Sequence, residues 1–422
     1  VKLTRRTIGL LLLAVAVVAL LCFGVIGVGR NKAIFDSIYL YFAGQTWLSG
    51  GNPYDRQELL QTAAKAGGSL EYANRMLPDF FAYAPPVAVF ALPLSLFSEP
   101  AARIVVRVVN LIAVAVIVGL SLYDIYRRWG ADALKTNGPL VAALAIGNPF
   151  TAHTVWLGQT SLVSFTATYA AWLLSRQQKT IWAGICLGIA CFKPHTCVLV
   201  FFWFLLQRSW KTLAVCLGTA TLMSLYPLTK HGPLQLIAEW LKAIKGYQGV
   251  YYNIVSLEND NLIGIGSLLF PLGINISAAV AGFLGLILVI LLWVYRHRFQ
   301  EDDILGVLMG IELVFLFGHT YDYVYIIPVF TYLFLYSQFA HAQRQLWPLV
   351  ASISLTVLFF IPQQLLRAIA WKIGFPALSH WRTLVVIGMI VLLMHLSVRA
   401  KQGGSGVSLD TGGEGDGWAD DG

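Results

Sequence analysis

Several polar side chains of reactive type stand at the ends of apolar runs, where a chain this hydrophobic has reason to avoid them. Asp36 opens the stretch FDSIYLYFAGQTWLSGGNPYD, directly after the first long apolar run. Gln159, in GNPFTAHTVWLGQTS, closes another run, and Lys193 and His195, in CFKPHT, fill a turn between two more. Asn259 lies in ENDN at 258–261, and His319 and Asp322 lie in FGHTYDY. A carboxylate can take a proton from a hydroxyl, and lysine and histidine can steady an anion. Ionisable groups at membrane depth are costly and usually face a cavity. Each residue also has a plainer reading. Asp36 could cap the helix that follows it, Lys193 could snorkel to an interface and His319 could be a satisfied core histidine. Gln159 could bridge helices, and Asp322 and the ENDN acids could be solvated. Their joint placement favours one polar site.

The elements that must position these residues are membrane helices. Of 422 residues, 57% are hydrophobic and 12% charged, with mean hydropathy +0.69. A soluble domain carries about 25% charged residues. Apolar runs fall near 8–28, 82–97, 104–126, 139–157, 160–175, 181–192, 195–207, 210–228, 262–295, 303–318, 323–340, 345–362 and 381–399. The net charge of +8 sits in short basic clusters between these runs, the pattern of cytoplasmic loops rather than of nucleic-acid binding. Arg127-Arg128, Arg176 with Lys179, Arg208 with Lys211, Arg296 to Arg298, Arg344, and Arg399 with Lys401 are all expected inside. The run 82–97 is short and carries Pro85, Pro86 and Pro93, so it is expected to be re-entrant or partial. The expectation is about 12 crossings. The run 8–28 is longer than a usual signal core and no A-x-A site follows, so it reads as an uncleaved anchor with its N-terminus inside.

On this topology residues 1–401 form one all-α transmembrane domain. Two large segments, 29–81 with amphipathic helices and 229–261, are expected on the outer side, with most of the polar candidates. Residues 402–422 are Gly- and Asp-rich with little to bury, and read as a disordered cytoplasmic tail. The five cysteines lie in or beside apolar runs without zinc spacing and read as packing residues. No Walker motif suggests an ATP-driven pump.

The motifs together resemble glycosyltransferase family 87. FDSIYLYFAGQTWLSGGNPYD is similar to its D-x-x-x-Y…G-x-NPY signature. YAPPVAVFALPLSLF, NPF…LGQTS, GICLGIACFKPH and FGHTYDYVYIIP resemble four further elements in family order, over about residues 30–330. Thr160 stands where the family often has Asn, which bears on the identity of the sugar. The resemblance implies a GT-C fold and transfer of a sugar, mannose by analogy, from a polyprenyl-phosphate donor to a lipid-linked or cell-envelope glycan acceptor. It implies a catalytic base at Asp36 and a donor-phosphate role for His319. It places the enzyme in the plasma or inner membrane with its site facing outward.

That chemistry needs a base for the acceptor hydroxyl and donors on the leaving phosphate. Lys193, His195 and His319 are the phosphate candidates. Tyr39, Asn52, Tyr54, Gln159, Asn259 and Asp322 are candidates for substrate contact, and Tyr39 and Tyr54, with Tyr41 and Trp47, could equally be packing residues. The first outer segment lacks a D-x-D or E-x-D pair. Hard cations need several oxygen ligands, so no metal cofactor is expected. The competing class is a secondary transporter or lipid flippase. Internal repeats and charges at mid-membrane would mark it, and the charges here gather to one side.

Overall fold

The computed structural model describes residues 4–29, 36–257, 259–342 and 345–403. Glu258 and residues 404–422, most of the expected tail, lie outside these; residues 402 and 403 belong to the last helix. In chain order the helices are α1 (Arg5–Ala19), α2 (Ser37–Leu48), α3 (Arg56–Gly67), α4 (Leu70–Met76), α5 (Ala88–Leu94), α6 (Glu99–Gly147) and α7 (Pro149–Leu157). The series continues with α8 (Ser161–Arg176), α9 (Thr180–Ala190), α10 (Val198–Leu206), α11 (Trp210–Met223), α12 (Leu225–His231), α13 (Pro233–Gln248) and α14 (Ile265–Leu269). Last come α15 (Ala278–Val294), α16 (Ile304–Phe315), α17 (Ile327–Ala342), α18 (Trp347–Phe360), α19 (Gln363–Lys372) and α20 (Trp381–Gly403). A single two-stranded antiparallel ribbon, β1 (Leu262–Ile263) with β2 (Gly318–His319), is the sheet among the described residues. The all-α expectation therefore holds.

Three described helical stretches are long and apolar enough to cross a membrane: Arg5–Ile26, Glu99–Gly147 and Pro376–Gln402. Two bent pairs, α11 with α12 and α18 with α19, raise this to five if each is one span. The expected count of about 12 crossings is not matched helix for helix. Several other apolar runs form helices of 17 residues or fewer, such as α15, that pack side by side in the bundle. Pro85–Leu94 is short, as its prolines implied. At ten residues it spans only about 15 Å, half the hydrocarbon thickness.

Within α6 the chain reverses at Gly130, whose φ of 79° and ψ of −176° are not helical. Gly138 then backs onto Leu122, and Val141 packs with Ile125, contacts that a straight helix could not make. The reversal brings Arg127 and Arg128 into a buried ionic network with the start of α16. Arg128 bonds Asp303, and Arg127 lies 2.8 Å from Asp302. Tyr332 donates to Asp124 at 2.9 Å and Tyr336 to Asp303 at 2.5 Å. Arg176 reaches the same Asp302 at 3.0 Å. Basic loops from distant parts of the sequence thus share one end of the bundle.

α8 and α9 form a hairpin beside the hairpin of α10 and α11. Gly184 and Gly188 let α9 lie directly on α11; a Cβ at either would meet Thr212, Val215, Cys216 or Thr219 at 2.6–2.9 Å. This spacing is the small-residue packing expected of helices in lipid. It explains physically the GICLG stretch that carried part of the resemblance. The hairpins place Ser161 and Lys193 at one end and Arg176 and Arg208 at the other. A helix of α8's 16 residues measures about 24 Å.

The segment from 37 to 48 corrects one expectation. The sequence predicts amphipathic helices within 29–81, but α2 is buried almost all round, from Ser37 through Gly44 without interruption. It is sandwiched between α5 and α6, partners that its own sequence does not reveal. α3 keeps the amphipathic pattern, burying Leu59, Leu60 and Ala63.

Candidate active site

The site is built where α2, α7, α8, the α9–α10 turn and the β2 ribbon meet. The turn between α7 and α8 carries Gly158 at φ +69°; a Cβ there would also strike Ser37 at 2.9 Å. This turn holds the start of α2 directly, through Asp36 N donating to Leu157 O at 2.9 Å. It also presents Gln159, Thr160 and Ser161 in succession.

Asp36 occupies the N-cap position of α2, yet its side chain makes no cap hydrogen bond. The cap reading of its carboxylate is therefore replaced. The carboxylate accepts instead from the Gln159 side-chain amide, and the Gln159 carbonyl accepts from Tyr83 Oη at 3.0 Å. Burial pushes the Asp36 carboxyl up to about 6, although the Gln159 bond and the Lys193 charge oppose this. Asp79 lies in the same field. Its backbone N–H donates to Tyr39 Oη at 2.8 Å, and its Oδ1 is buried with no partner among the described residues. Burial and the charge of Asp36 push Asp79 up to about 7.

On the other side of Gln159 is a buried ionic cluster. Lys193 is only 6% exposed, so it does not snorkel. Its Nζ donates to Asp322 Oδ1 at 2.8 Å and to Ser161 Oγ, and lies 4.6 Å from the centre of the Tyr321 ring. Ser161 Oγ donates to the same Asp322 oxygen at 2.8 Å. Asp322 is 2% exposed and is not a solvated loop acid. Its second oxygen accepts from His319 N at 3.0 Å and lies 3.7 Å from His195 Nε2. Burial works to raise the Asp322 carboxyl, but Lys193 and His195 outweigh it and hold the group well below the usual carboxylate range. The His195 side chain is 40% exposed, which leaves it open to a ligand.

β2 carries His319 into the cluster, paired with Leu262 across the ribbon. Its Nε2 lies 2.8 Å from Asn253 Oδ1, and its ring stacks on Tyr321 at 5.1 Å. Burial, with Lys193 and His195 nearby, pushes the imidazole down to about 4 in spite of Asp322. His319 is thus neutral at neutral pH and offers hydrogen bonding rather than charge.

The structure therefore brings Asp36, Gln159, Lys193, His195, His319 and Asp322 together. Tyr39 stands behind them as a brace for Asp79. Three candidates hold loops instead. Asn52 bonds the Glu58 and Glu239 carboxylates and caps the Tyr54 amide. Tyr54 donates to the Tyr83 carbonyl at 2.9 Å and packs on Phe81. Asn259 donates to the carbonyls of Tyr252 and Ile254. The sequence reading passed over Tyr83, Ser161, Asn253 and Tyr321. Three of these sit inside motifs already quoted, and Ser161 and Tyr321 stand within two residues of the candidates Gln159 and Asp322. Asn253 had no such flag. Glu312 was also missed: it is 4% exposed within α16, and both its oxygens lack partners among the described residues. An acid within an apolar run is itself the signal that could have found it.

Asp36 and Lys193, at opposite ends of the Gln159–Ser161 turn, provide a proton acceptor and a cationic group in one place. That is the equipment for moving a group from an anionic leaving group to a hydroxyl. The model of glycosyltransferase family 87 matches residues 81–318, more than half of the chain. The matched stretch includes Gln159, Lys193 and His195; Asp36 precedes it and His319 and Asp322 follow it directly. No curated protein and no solved structure matches the chain. The apolar spans and the family match together make this chain a membrane glycosyltransferase, a member of glycosyltransferase family 87.

Proposed function

We propose that the protein transfers a sugar, mannose by family resemblance, from a polyprenyl-phosphate donor to a glycolipid or cell-envelope glycan acceptor, with inversion at the anomeric carbon and on a GT-C framework. Asp36 acts as general base on the acceptor hydroxyl. Its carboxyl, released from helix capping and held by Gln159, is the observation that carries this reading. A base works best with a pKa near the working pH, and about 6 meets that need.

His195 and the third proton of Lys193 are assigned to the donor phosphate, with the Nε2–H of neutral His319, exchanged from Asn253 Oδ1, as a further donor. Asp322 keeps Lys193 charged and in place. Charge-assisted donors in a water-poor site stabilise a leaving phosphate strongly. With the Lys193 cation and imidazole donors at the phosphate, the proposal requires no metal cofactor. The site is assigned to the outer side of the plasma or inner membrane, because the basic loops gather at the opposite end of the bundle.

The test is direct. Purified protein is incubated with a radiolabelled polyprenyl-phosphate sugar and, separately, with the matching nucleotide sugar. Transfer from the lipid donor alone supports the proposal. Transfer from the nucleotide sugar alone contradicts it.

A further inference from the structure

The end of the bundle remote from the candidate active site holds a cavity that sugar transfer does not use. It has a volume of about 520 Å³ and lies between the α8–α9 turn, the α10–α11 turn and the end of α15. Its lining includes Arg176, Arg208 and Arg296 against one acid, Glu301. The size falls within the range of small-ligand sites, about 300–1,000 Å³.

The two turns are built alike. Each ends its first helix on a non-glycine residue with positive φ, Gln178 at 61° and Arg208 at 57°. Each closes with the equivalent backbone bond, Lys179 N to Leu174 O in one and Ser209 N to Phe204 O in the other, both 2.9 Å. Glycine is the usual residue at such a position, so these side chains are held there at a conformational cost. Both lead into helices, α9 and α11, whose first turns have no side-chain cap. Such helix starts attract anions.

The three arginines are not equally engaged. Arg176 is paired with Glu301 and Asp302. Arg296 donates to the Trp293 carbonyl at 2.7 Å and lies over the Trp293 ring at 4.4 Å, with no acidic partner among the described residues. Arg208 likewise has no acidic partner among them. The lining thus keeps an excess of positive charge, in the fork geometry that matches phosphate oxygens. Exposed apolar side chains adjoin the lining along the chain: Trp210 follows Ser209, and Val294 and Tyr295 lie between Trp293 and Arg296, at 61%, 47% and 46% exposure. Aromatic and basic residues together mark the headgroup level of a bilayer.

We propose that this cavity binds the phosphate of an anionic lipid headgroup, with Arg208 and Arg296 as its main ligands, at the membrane face opposite the sugar-transfer site. The recognised group is the phosphate. The surrounding apolar rim makes a lipid its source.

The full chain in nanodiscs containing phosphatidic acid, or diacylglycerol as the matched lipid without phosphate, tests the proposal by native mass spectrometry. Wild-type protein should retain phosphatidic acid over diacylglycerol. The Arg208→Ala/Arg296→Ala double variant should retain about tenfold less, the worth of a charge-assisted hydrogen bond or more. Thermal unfolding without added lipid and sugar transfer should be unchanged in this variant, which separates lost binding from lost folding. A parallel titration with inorganic phosphate distinguishes the sources. Stabilisation by inorganic phosphate that the double variant loses, without lipid retention, would overturn the lipid assignment. Equal retention of phosphatidic acid by wild type and double variant would overturn the site altogether.

Discussion

Asp36 and Asp322 are two carboxylates on either side of one short turn, and their surroundings drive them in opposite directions. Asp36 takes a single neutral amide as partner, and burial raises its carboxyl to about 6. Asp322 takes Lys193, Ser161 and the His319 amide, and is held well below the usual range. Burial opposes charge at both; only at Asp322 is a cation within hydrogen-bond distance. Pairs of titratable groups pushed apart in this way mark a division of labour. Asp36 is fitted to exchange a proton, and Asp322 is fitted to remain an anion that organises cations.

The linkage to stability has opposite signs at the two sites. Asp322 has a lowered folded value, so its contribution is present above the ordinary 3.8 and is lost as pH falls below it. Asp36 has a raised folded value. Its contribution is present below 3.8 and is lost as pH rises through about 6.

The contrast predicts the largest effect at Asp36. Asp36→Asn should lower turnover by about 10²–10⁴-fold, the usual worth of general acid–base catalysis, while thermal unfolding and donor binding stay near wild type. Near-normal transfer would move the role of base to Asp79, the neighbouring acid that burial and the charge of Asp36 raise to about 7. Asp322→Ala should act chiefly on the fold. It strands the buried Lys193 charge, and breaking such a pair costs about 3–5 kcal/mol, read as a lowered unfolding midpoint. An unchanged midpoint would show that the cluster is not a structural unit.

His319→Ala should weaken use of the donor by roughly one to two decades, in line with the loss of a hydrogen bond to a charged group at about 1.5–3 kcal/mol. Acceptor kinetics should change less, and wild-type donor kinetics would remove His319 from the phosphate. Gln159→Leu removes the bond that lowers the Asp36 carboxyl. The acid limb of the rate profile should therefore move to higher pH; a shift to lower pH would reverse the assigned effect of the bond. The smallest expected effect is that of chelation. EDTA should leave transfer unchanged, and loss restored by Mg²⁺ or Mn²⁺ would require carboxylates such as Asp260 and Asp322 to hold metal.

Much of this arrangement was legible because local sequence rules fixed it. The apolar runs gave the helices, and the prolines at 85, 86 and 93 gave the short element among them. Asp36, Lys193, His195, His319 and Asp322 stood out because charge next to an apolar run is rare. Long-range packing was not legible. Nothing within residues 37–48 shows that α5 and α6 will enclose α2, so a buried helix reads as an amphipathic one. Asn253 meets His319 across 66 residues, and a neutral asparagine in a loop announces no partner. Asn52 and Asn259 carried the right chemistry but spend it on holding the fold, Asn52 on Glu239 and the Tyr54 amide and Asn259 on loop carbonyls, which side-chain type alone does not reveal.

The central claim is that Asp36 is the base and titrates near 6. Measuring kcat/KM for acceptor across pH values on both sides of 6, in wild type and Asp36→Asn, tests it most directly. Deprotonation activates a base, so wild-type activity should rise as pH increases through about 6 and then level. The variant should be slow throughout and lack that rise. A variant that keeps the same rise at the same pH would contradict the account, since the titrating group would then lie elsewhere.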